Sequence, residues 1–279
     1  MALAREYRAE IVSADSRQVY QELNIGVARP SAEELEAVKH HFIDHVSIRG
    51  PYSAGQFAKE AFAFLNAYFN NHDTIIVCGG TGLYLKALFE GIDRKPADEK
   101  LRSELNLKLS SHGLLPLAAE LERLDPKMAS ETDLGNPRRV IRALEWLMAG
   151  KPAEEVRKWP SHWQVRLFST DLPRAVLYER INARVELMME QGLWEEASAL
   201  FAFRELNALK TVGYQEIFDA MQGLYSSETA VEKIKQHTRN FAKRQVTWLN
   251  KTENLIRIPG GTQAEMLAFV LHSQGSSTG

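Results

Sequence analysis

Two stretches, Glu10-Ile11-Val12-Ser13-Ala14-Asp15-Ser16-Arg17-Gln18 and Thr74-Ile75-Ile76-Val77-Cys78-Gly79-Gly80-Thr81-Gly82, each run from β-branched residues straight into small and polar ones. In an open parallel sheet, ligands bind at the carboxyl ends of the strands, so Asp15, Arg17, Gln18 and Thr81 are expected to act together. A carboxylate at such an end can serve as a general base, and donors from Ser16, Arg17 and Gln18 could grip a phosphate or a base edge. Asp and Ser are equally at home where a strand turns toward a helix, so a plain cap or turn role for Asp15 stays open on position alone. The glycines at 79, 80 and 82 would let a ligand approach the backbone ahead of a helix N-terminus, which attracts anions, although such turns also occur without ligands.

Cations form the other candidate sets. Arg180 and Arg184 lie four apart on one helix face, a spacing that suits a bidentate grip on an oxyanion and equally suits a solvated pair. Arg138, Arg139 and Arg142 cluster, and Lys235, Arg239 and Lys243 follow at i, i+4 and i+8, aligned like charges that call for a compensating anion. Acidic residues crowd 33–36 and 195–196. The histidines, including the adjacent His40 and His41, show no metal-ligand spacing with cysteine.

These residues need a frame. Apolar positions Phe57, Ala61, Phe64, Leu65 and Tyr68 predict a helix after Ser53, and Leu83, Leu85, Ala87 and Leu88 predict another closed by Gly91. The alternation of strand and helix is that of a doubly wound α/β sheet. Between Pro96 and Lys158 the pattern changes to short helices, at 99–109, 115–124 and 137–148, which predicts a helical insertion. Strand character returns at 164–169, a long helix runs from Pro173 to Gly192, another spans 228–249, and 255–258 reads as a last strand. The expected organisation is an α/β core of 1–95 and 159–270, an insertion of 96–158, and a disordered tail of 271–279.

Composition limits the classes. A chain of 279 residues with 44% hydrophobic and 25% charged residues is long enough for a large core, and its net charge of −2 gives no global pull toward nucleic acid. No run approaches the ~18 apolar residues of a membrane helix. The start lacks a secretion-signal pattern and the single cysteine, Cys78, falls in an apolar strand, so the expected compartment is the cytoplasm.

Taken in order, Ser13-Ala14-Asp15-Ser16-Arg17-Gln18-Val19-Tyr20, Gly79-Gly80-Thr81-Gly82-Leu83-Tyr84, Asn136-Pro137-Arg138-Arg139-Val140-Ile141-Arg142-Ala143-Leu144-Glu145, Val212-Gly213-Tyr214-Gln215-Glu216 and Ala242-Lys243-Arg244-Gln245-Val246-Thr247-Trp248 resemble the bacterial tRNA dimethylallyltransferases. The resemblance implies transfer of a dimethylallyl group from dimethylallyl diphosphate to the N6 amine of the adenosine 3′ of the tRNA anticodon, on a base drawn out of its stack. It implies that Asp15 accepts the amine proton, that Ser16, Arg17 and Gln18 continue a strip touching tRNA, and that Thr81 and Arg102 are further RNA contacts. Arg138, Arg139, Val140, Ile141 and Arg142 match one tRNA-binding segment, and Lys210, Thr211, Val212, Gly213, Tyr214 and Gln215 a second. Arg184, with Arg180, matches the diphosphate-binding arginine, and Mg²⁺ is the implied cofactor. The family also brings the labels of nucleotide and ATP binding, a cytoplasmic location and a monomer that needs no membrane.

Members of that family begin with a strand and a Gly-x-x-x-x-Gly-Lys-Ser/Thr phosphate loop, whereas here Met1-Ala2-Leu3-Ala4 aligns with the helix that follows it. The expected fold is thus a P-loop-NTPase-like parallel sheet with flanking helices, its first strand and phosphate loop absent, plus the helical insertion. On that expectation 11–13 and 75–78 lack a hydrogen-bonding neighbour, and this polypeptide has little transferase activity and reduced stability. Two other classes stay open: a tRNA-binding protein without catalysis, and, more weakly, a small-molecule kinase, for which no nucleoside triphosphate site is marked.

Overall fold

The computed structural model describes residues 1–91, 98–149 and 159–275. The chain divides into two compact units, Met1–Phe89 with Trp159–Gly279, and Glu90–Lys158. The predicted boundary at 95/96 and the last insertion residues up to Lys158 lie outside the described residues, as do 276–279 of the predicted tail.

The first unit opens with α1 (Ala2–Glu6), β1 (Ile11–Ser13), α2 (Ala32–Ala37), β2 (His40–His41), α3 (Ala54–Tyr68), β3 (Ile76–Cys78) and α4 (Gly82–Phe89). α2 starts with a reciprocal cap: the Glu34 N–H donates to the Ser31 hydroxyl and the Ser31 N–H donates to the Glu34 carboxylate. Acidic residues at 33 and 34 thereby sit at the positive end of the helix rather than forming a free acidic patch. Ser53 caps α3, whose Phe57, Ala61 and Leu65 are buried one to two turns apart.

The second unit is all helical among its described residues: α5 (Glu99–His112), α6 (Leu115–Leu124), α7 (Pro126–Glu131) and α8 (Pro137–Ala149). Leu105, Leu117, Leu121, Val140 and Leu144 form its core. Each such leucine buried contributes about 2 kcal/mol.

The chain then returns to the first unit through β4 (Leu167–Asp171), α9 (Arg174–Glu190), α10 (Leu193–Leu200), α11 (Tyr214–Met221), α12 (Ser227–Leu249), β5 (Leu255–Pro259) and α13 (Gln263–Gly275). Of the predicted 271–279 tail, the described residues 271–275 form the end of α13. A larger core gathers Val19, Tyr20 and Leu23 after β1 with Val185, Leu193, Leu209, Tyr214, Ile217 and Ile234 from the later helices.

Among the described residues all strand pairs are parallel, in two sheets of order β2-β1-β3 and β4-β5. β1 is therefore central, with Ile11 opposite both His40 and Ile76, which corrects the expectation that 11–13 lacks a neighbour. The short His40-His41 strand supplies it. β3 pairs with β1 and, among the described residues, with no other strand. Its Ile76 and Val77 remain partly exposed and Cys78, expected inside the strand, is exposed.

Candidate active site

The carboxyl ends of β1 and β3 are joined by a ladder of short contacts. The Ser16 N–H donates to the Thr81 hydroxyl at 3.0 Å, that hydroxyl donates to Ser16 Oγ at 3.2 Å, and the Thr81 N–H donates to the Ala14 carbonyl at 3.3 Å. Thr81 and Asp15, 66 positions apart by number, thus belong to one constellation held through Ser16. Parallel pairing of β1 with β3 is what carries both turns to the same edge.

Asp15 Oδ1 accepts from the backbone N–H groups of Arg17 at 2.8 Å and Gln18 at 3.3 Å. This is the turn-capping geometry that the residue type permits on its own. It consumes one carboxylate oxygen and fixes the side chain, while Oδ2 makes no recorded hydrogen bond among the described residues. Position and orientation therefore suit a base held rigid by one oxygen and able to accept with the other.

Glycine is required at 79, where an added Cβ would lie 2.3 Å from the Ala14 carbonyl oxygen. Backbone cannot yield as a side chain can. At 80 a Cβ would meet Gln245 Nε2 at 2.1 Å, and that same amide donates to the Gly80 carbonyl at 2.9 Å. The 242–248 motif thus serves to seat α12 on the glycine turn, with Trp248 covering Gly82.

Arg17 and Gln18 face inward with most of their donors. The Arg17 guanidinium donates to the carbonyls of Asn207, Ala208 and Lys210 at 3.1, 3.0 and 3.4 Å, and Gln18 Nε2 donates to the carbonyls of Val27 and Ala28. Gln18 also accepts from Ser13. Arg17 is thus a strut from the β1 turn to the 207–210 carbonyls and Gln18 one to the 27–28 carbonyls, where the sequence led us to expect an open strip.

Within that loop Lys210 and Gln215 are exposed, Thr211 and Val212 are half-buried, and Gly213 and Tyr214 are buried. The Tyr214 side chain, expected in an RNA-contacting loop, is packed in the core. Its hydroxyl donates to Glu196, whose carboxylate also accepts from the Ile25 and Gly26 N–H groups. Burial, reinforced by the neighbouring Glu196 charge, pushes the Tyr214 hydroxyl far above its ordinary pKa, so it stays a donor. Gly213, at φ +99°, adopts a conformation that favours glycine, and its N–H donates to Glu216 at 2.7 Å.

Arg180 and Arg184 are exposed on α9, with no hydrogen bond or ion pair recorded for either among the described residues. The neighbouring cations on α12 differ. Lys235 is paired with Glu186 at 3.0 Å and Glu232 at 2.9 Å, and Arg239 donates to Asn182 at 2.7 Å. Carboxylates of the protein itself thus supply the compensation expected from an external anion, at least at 235. The two contacts together hold the Lys235 ammonium above its usual pKa.

A cleft of about 1360 Å³ in the same unit is bounded by β3, the glycine turn, the 164–171 segment and α12. Its walls are mainly aliphatic and aromatic, including Leu85, Phe168 and Trp248, with Arg174 and Lys243 among its cations. Asp15, Thr81 and Arg184 do not line it. Arg174 was not singled out from the sequence, although it follows the carboxyl end of β4, the position where the same open-sheet rule places binding residues.

In the helical unit, Arg138 and Arg139 are exposed in the first turn of α8, where the Asn136 carboxamide oxygen accepts from both backbone N–H groups. Cations at the positive end of a helix are unfavourable unless an anion offsets them. Val140 and Ile141 are buried and are corrected to core residues, their side chains packed with Leu105 and Leu144. Arg102 and Arg142 are partly exposed and converge on Glu145, which is wholly buried.

Comparison with known proteins gives a family match and close relatives. Residues 18–252 match the model of the IPP transferase family. The chain is 41% identical to the tRNA dimethylallyltransferase of Cytophaga hutchinsonii, covering 97% of this chain and 90% of that one. It is 44% identical to the tRNA dimethylallyltransferase of Christiangramia forsetii, covering 89% and 84%. The solved tRNA isopentenylpyrophosphate transferase of Bacillus halodurans superposes with a TM-score of 0.72 at 31% identity, over 98% of this chain and 90% of its own. A eukaryotic dimethylallyltransferase acting on tRNA superposes with a TM-score of 0.77 at 23% identity, over 99% and 75%, which speaks to the fold.

Proposed function

The chain belongs to the IPP transferase family, and from that premise we propose that it transfers a dimethylallyl group from dimethylallyl diphosphate to the N6 amine of the adenosine 3′ of the anticodon in tRNA. The observation that carries the reading is Asp15, braced by two backbone N–H groups through Oδ1 and joined through Ser16 to Thr81. The amine nitrogen forms a bond to the first carbon of the prenyl donor as the bond from that carbon to the diphosphate oxygen breaks. The amine proton passes to Asp15 Oδ2, and diphosphate departs with the electron pair. A held base of this kind contributes roughly 10²- to 10⁴-fold in rate.

Arg180 and Arg184 are suited to the departing anion because, among the described residues, no carboxylate is bonded to their guanidiniums. Thr81, Lys210 and Gln215 would meet RNA from the first unit, and Arg102, Arg138, Arg139 and Arg142 from the second. We propose a monomer acting on the anticodon stem-loop. Mg²⁺ is expected with a diphosphate substrate, but among the described residues no group of three or more His, Cys, Asp or Glu could hold a metal ion. These residues do not fit a protein-built magnesium cage. Among the described residues no helix is long and apolar enough to cross a membrane.

Incubation with dimethylallyl diphosphate and an anticodon stem-loop, followed by mass analysis of the nucleosides, tests the reading. The expected product is N6-dimethylallyl adenosine at the position 3′ of the anticodon, lost in Asp15→Asn. Stem-loop binding with no transfer by either protein would instead favour an RNA-binding protein without catalysis.

A further inference from the structure

Glu145 is wholly buried on α8, in the apolar core that contains Val140, Ile141 and Leu144. A carboxylate in such a place is costly unless several donors meet it. Arg102 meets it with Nε at 3.3 Å and Nη2 at 2.8 and 3.0 Å, Arg142 Nη1 at 3.0 Å, and the Asp98 N–H at 2.9 Å. Burial by itself would raise the carboxyl pKa, but these donors outweigh it and hold the group below its ordinary value. Glu145 is thus an anion in an apolar core, facing two cations whose side chains are 44% and 37% exposed.

Both arginines gain order from this arrangement. A guanidinium offers five donors in a planar fork, so Arg102 can spend one edge on a carboxylate and present the other to a second acceptor. Arg102 uses its Nε and Nη2 edge on Glu145. Arg138, Arg142 and Glu145 follow at i, i+4 and i+7 on α8, so the anchored and exposed arginines share a side of the helix. Asp98 adds a further tie, since its side chain caps α5 while its own N–H donates to Glu145.

We propose that Glu145 is a positioning residue that fixes Arg102 as a preformed phosphate-binding group beside Arg138 and Arg139, an inference that rests on the tRNA-binding function proposed for this unit. The sign of the effect separates positioning from simple charge. Glu145→Gln removes a negative charge near a polyanion, so long-range electrostatics would tighten RNA binding. Loss of positioning weakens it.

The test measures affinity of the full chain for an anticodon stem-loop across a salt series, with thermal melting as the check on folding. Glu145→Gln is expected to weaken binding about five- to tenfold and to make the salt dependence shallower by about one phosphate contact. Arg102→Lys, which keeps the charge and loses the planar fork, is expected to weaken binding in the same direction. The combination of Glu145→Gln with Arg102→Ala should be less than additive, whereas its combination with Arg139→Ala should be additive. A folded Glu145→Gln that binds as well as or better than the parent overturns the proposal. Should that variant not fold, unchanged affinity in Arg102→Lys overturns it instead. If charge reversal at Arg139 leaves binding unaffected, the RNA-binding function of the unit fails and the positioning role with it. A loss at Arg139 with none at 145 and 102 removes the positioning role alone.

Discussion

The two candidate surfaces are built by opposite means. Around Asp15 the functional side chain is held by backbone: two N–H groups on one oxygen, a glycine pressed against the Ala14 carbonyl, and a strand register that sets Ser16 against Thr81. Around Arg102 and Arg142 the side chains are held by one buried carboxylate and stay partly exposed. Proton transfer needs donor and acceptor within hydrogen-bond reach of one another, so a base profits from the stiffest support available. Phosphate recognition tolerates more play, because attraction to a polyanion is long-ranged and its contacts are many. Rigidity is spent where geometry limits the chemistry.

The sharpest way to break the comparison is at the base. Asp15→Asn keeps a side-chain oxygen for the Arg17 and Gln18 N–H groups but cannot take a proton at neutral pH. Transfer should fall roughly 10²- to 10⁴-fold while stem-loop affinity changes little. Equal losses of turnover and affinity would show that Asp15 is a structural turn residue. Gly79→Ala comes next, since its methyl would sit 2.3 Å from a main-chain oxygen. A loss of about 3 kcal/mol in unfolding free energy is expected, read by denaturant titration.

Much of the first surface was legible because its determinants are local. β-branched runs ending in Asp15 and Thr81 mark strand ends, and Ser53 and Gly91 mark helix limits that the structure keeps close to their expected places. What escaped depends on the tertiary environment. His40-His41 has no apolar alternation and becomes a strand only because β1 is beside it. α13 was hidden by the small polar residues at its end, and α7, α10 and α11 carried too little periodicity to stand out over 6 to 8 residues. The carboxylates held by distant donors were the hardest. Glu196 looked like one of an acidic pair and Glu145 like the polar close of a basic motif, and only the donors brought by distant segments explain the bonding of the half-buried Glu196 and the burial of Glu145.

Acid sharpens the comparison from the side of the helical unit. Because the folded pKa of Glu145 lies below the ordinary 4.5, its contribution to stability is complete above that value and is lost as pH falls through the folded one. As pH falls below about 4.5 the parent should therefore lose melting temperature faster than Glu145→Gln, by about 2–4 °C for each kcal/mol at stake. A parallel decline in both proteins would place the acid sensitivity elsewhere.

The smallest expected effect lies under the loop at 210–215, where backbone and carboxylate support meet. Tyr214→Phe removes one donor from Glu196 but leaves the ring in the core and leaves the Ile25 and Gly26 N–H groups on the same carboxylate. Two remaining donors keep the anion satisfied, so the cost should be about 1–2 kcal/mol, visible in denaturant titration. Turnover should change less than fivefold, because Lys210 is still tied to Arg17 through its carbonyl. A much larger fall in turnover at unchanged stability would mean that the Tyr214 hydroxyl transmits the loop position to the Asp15 turn. Support by a carboxylate would then be as exacting here as support by backbone, and the division between the two surfaces would hold only for the helical unit.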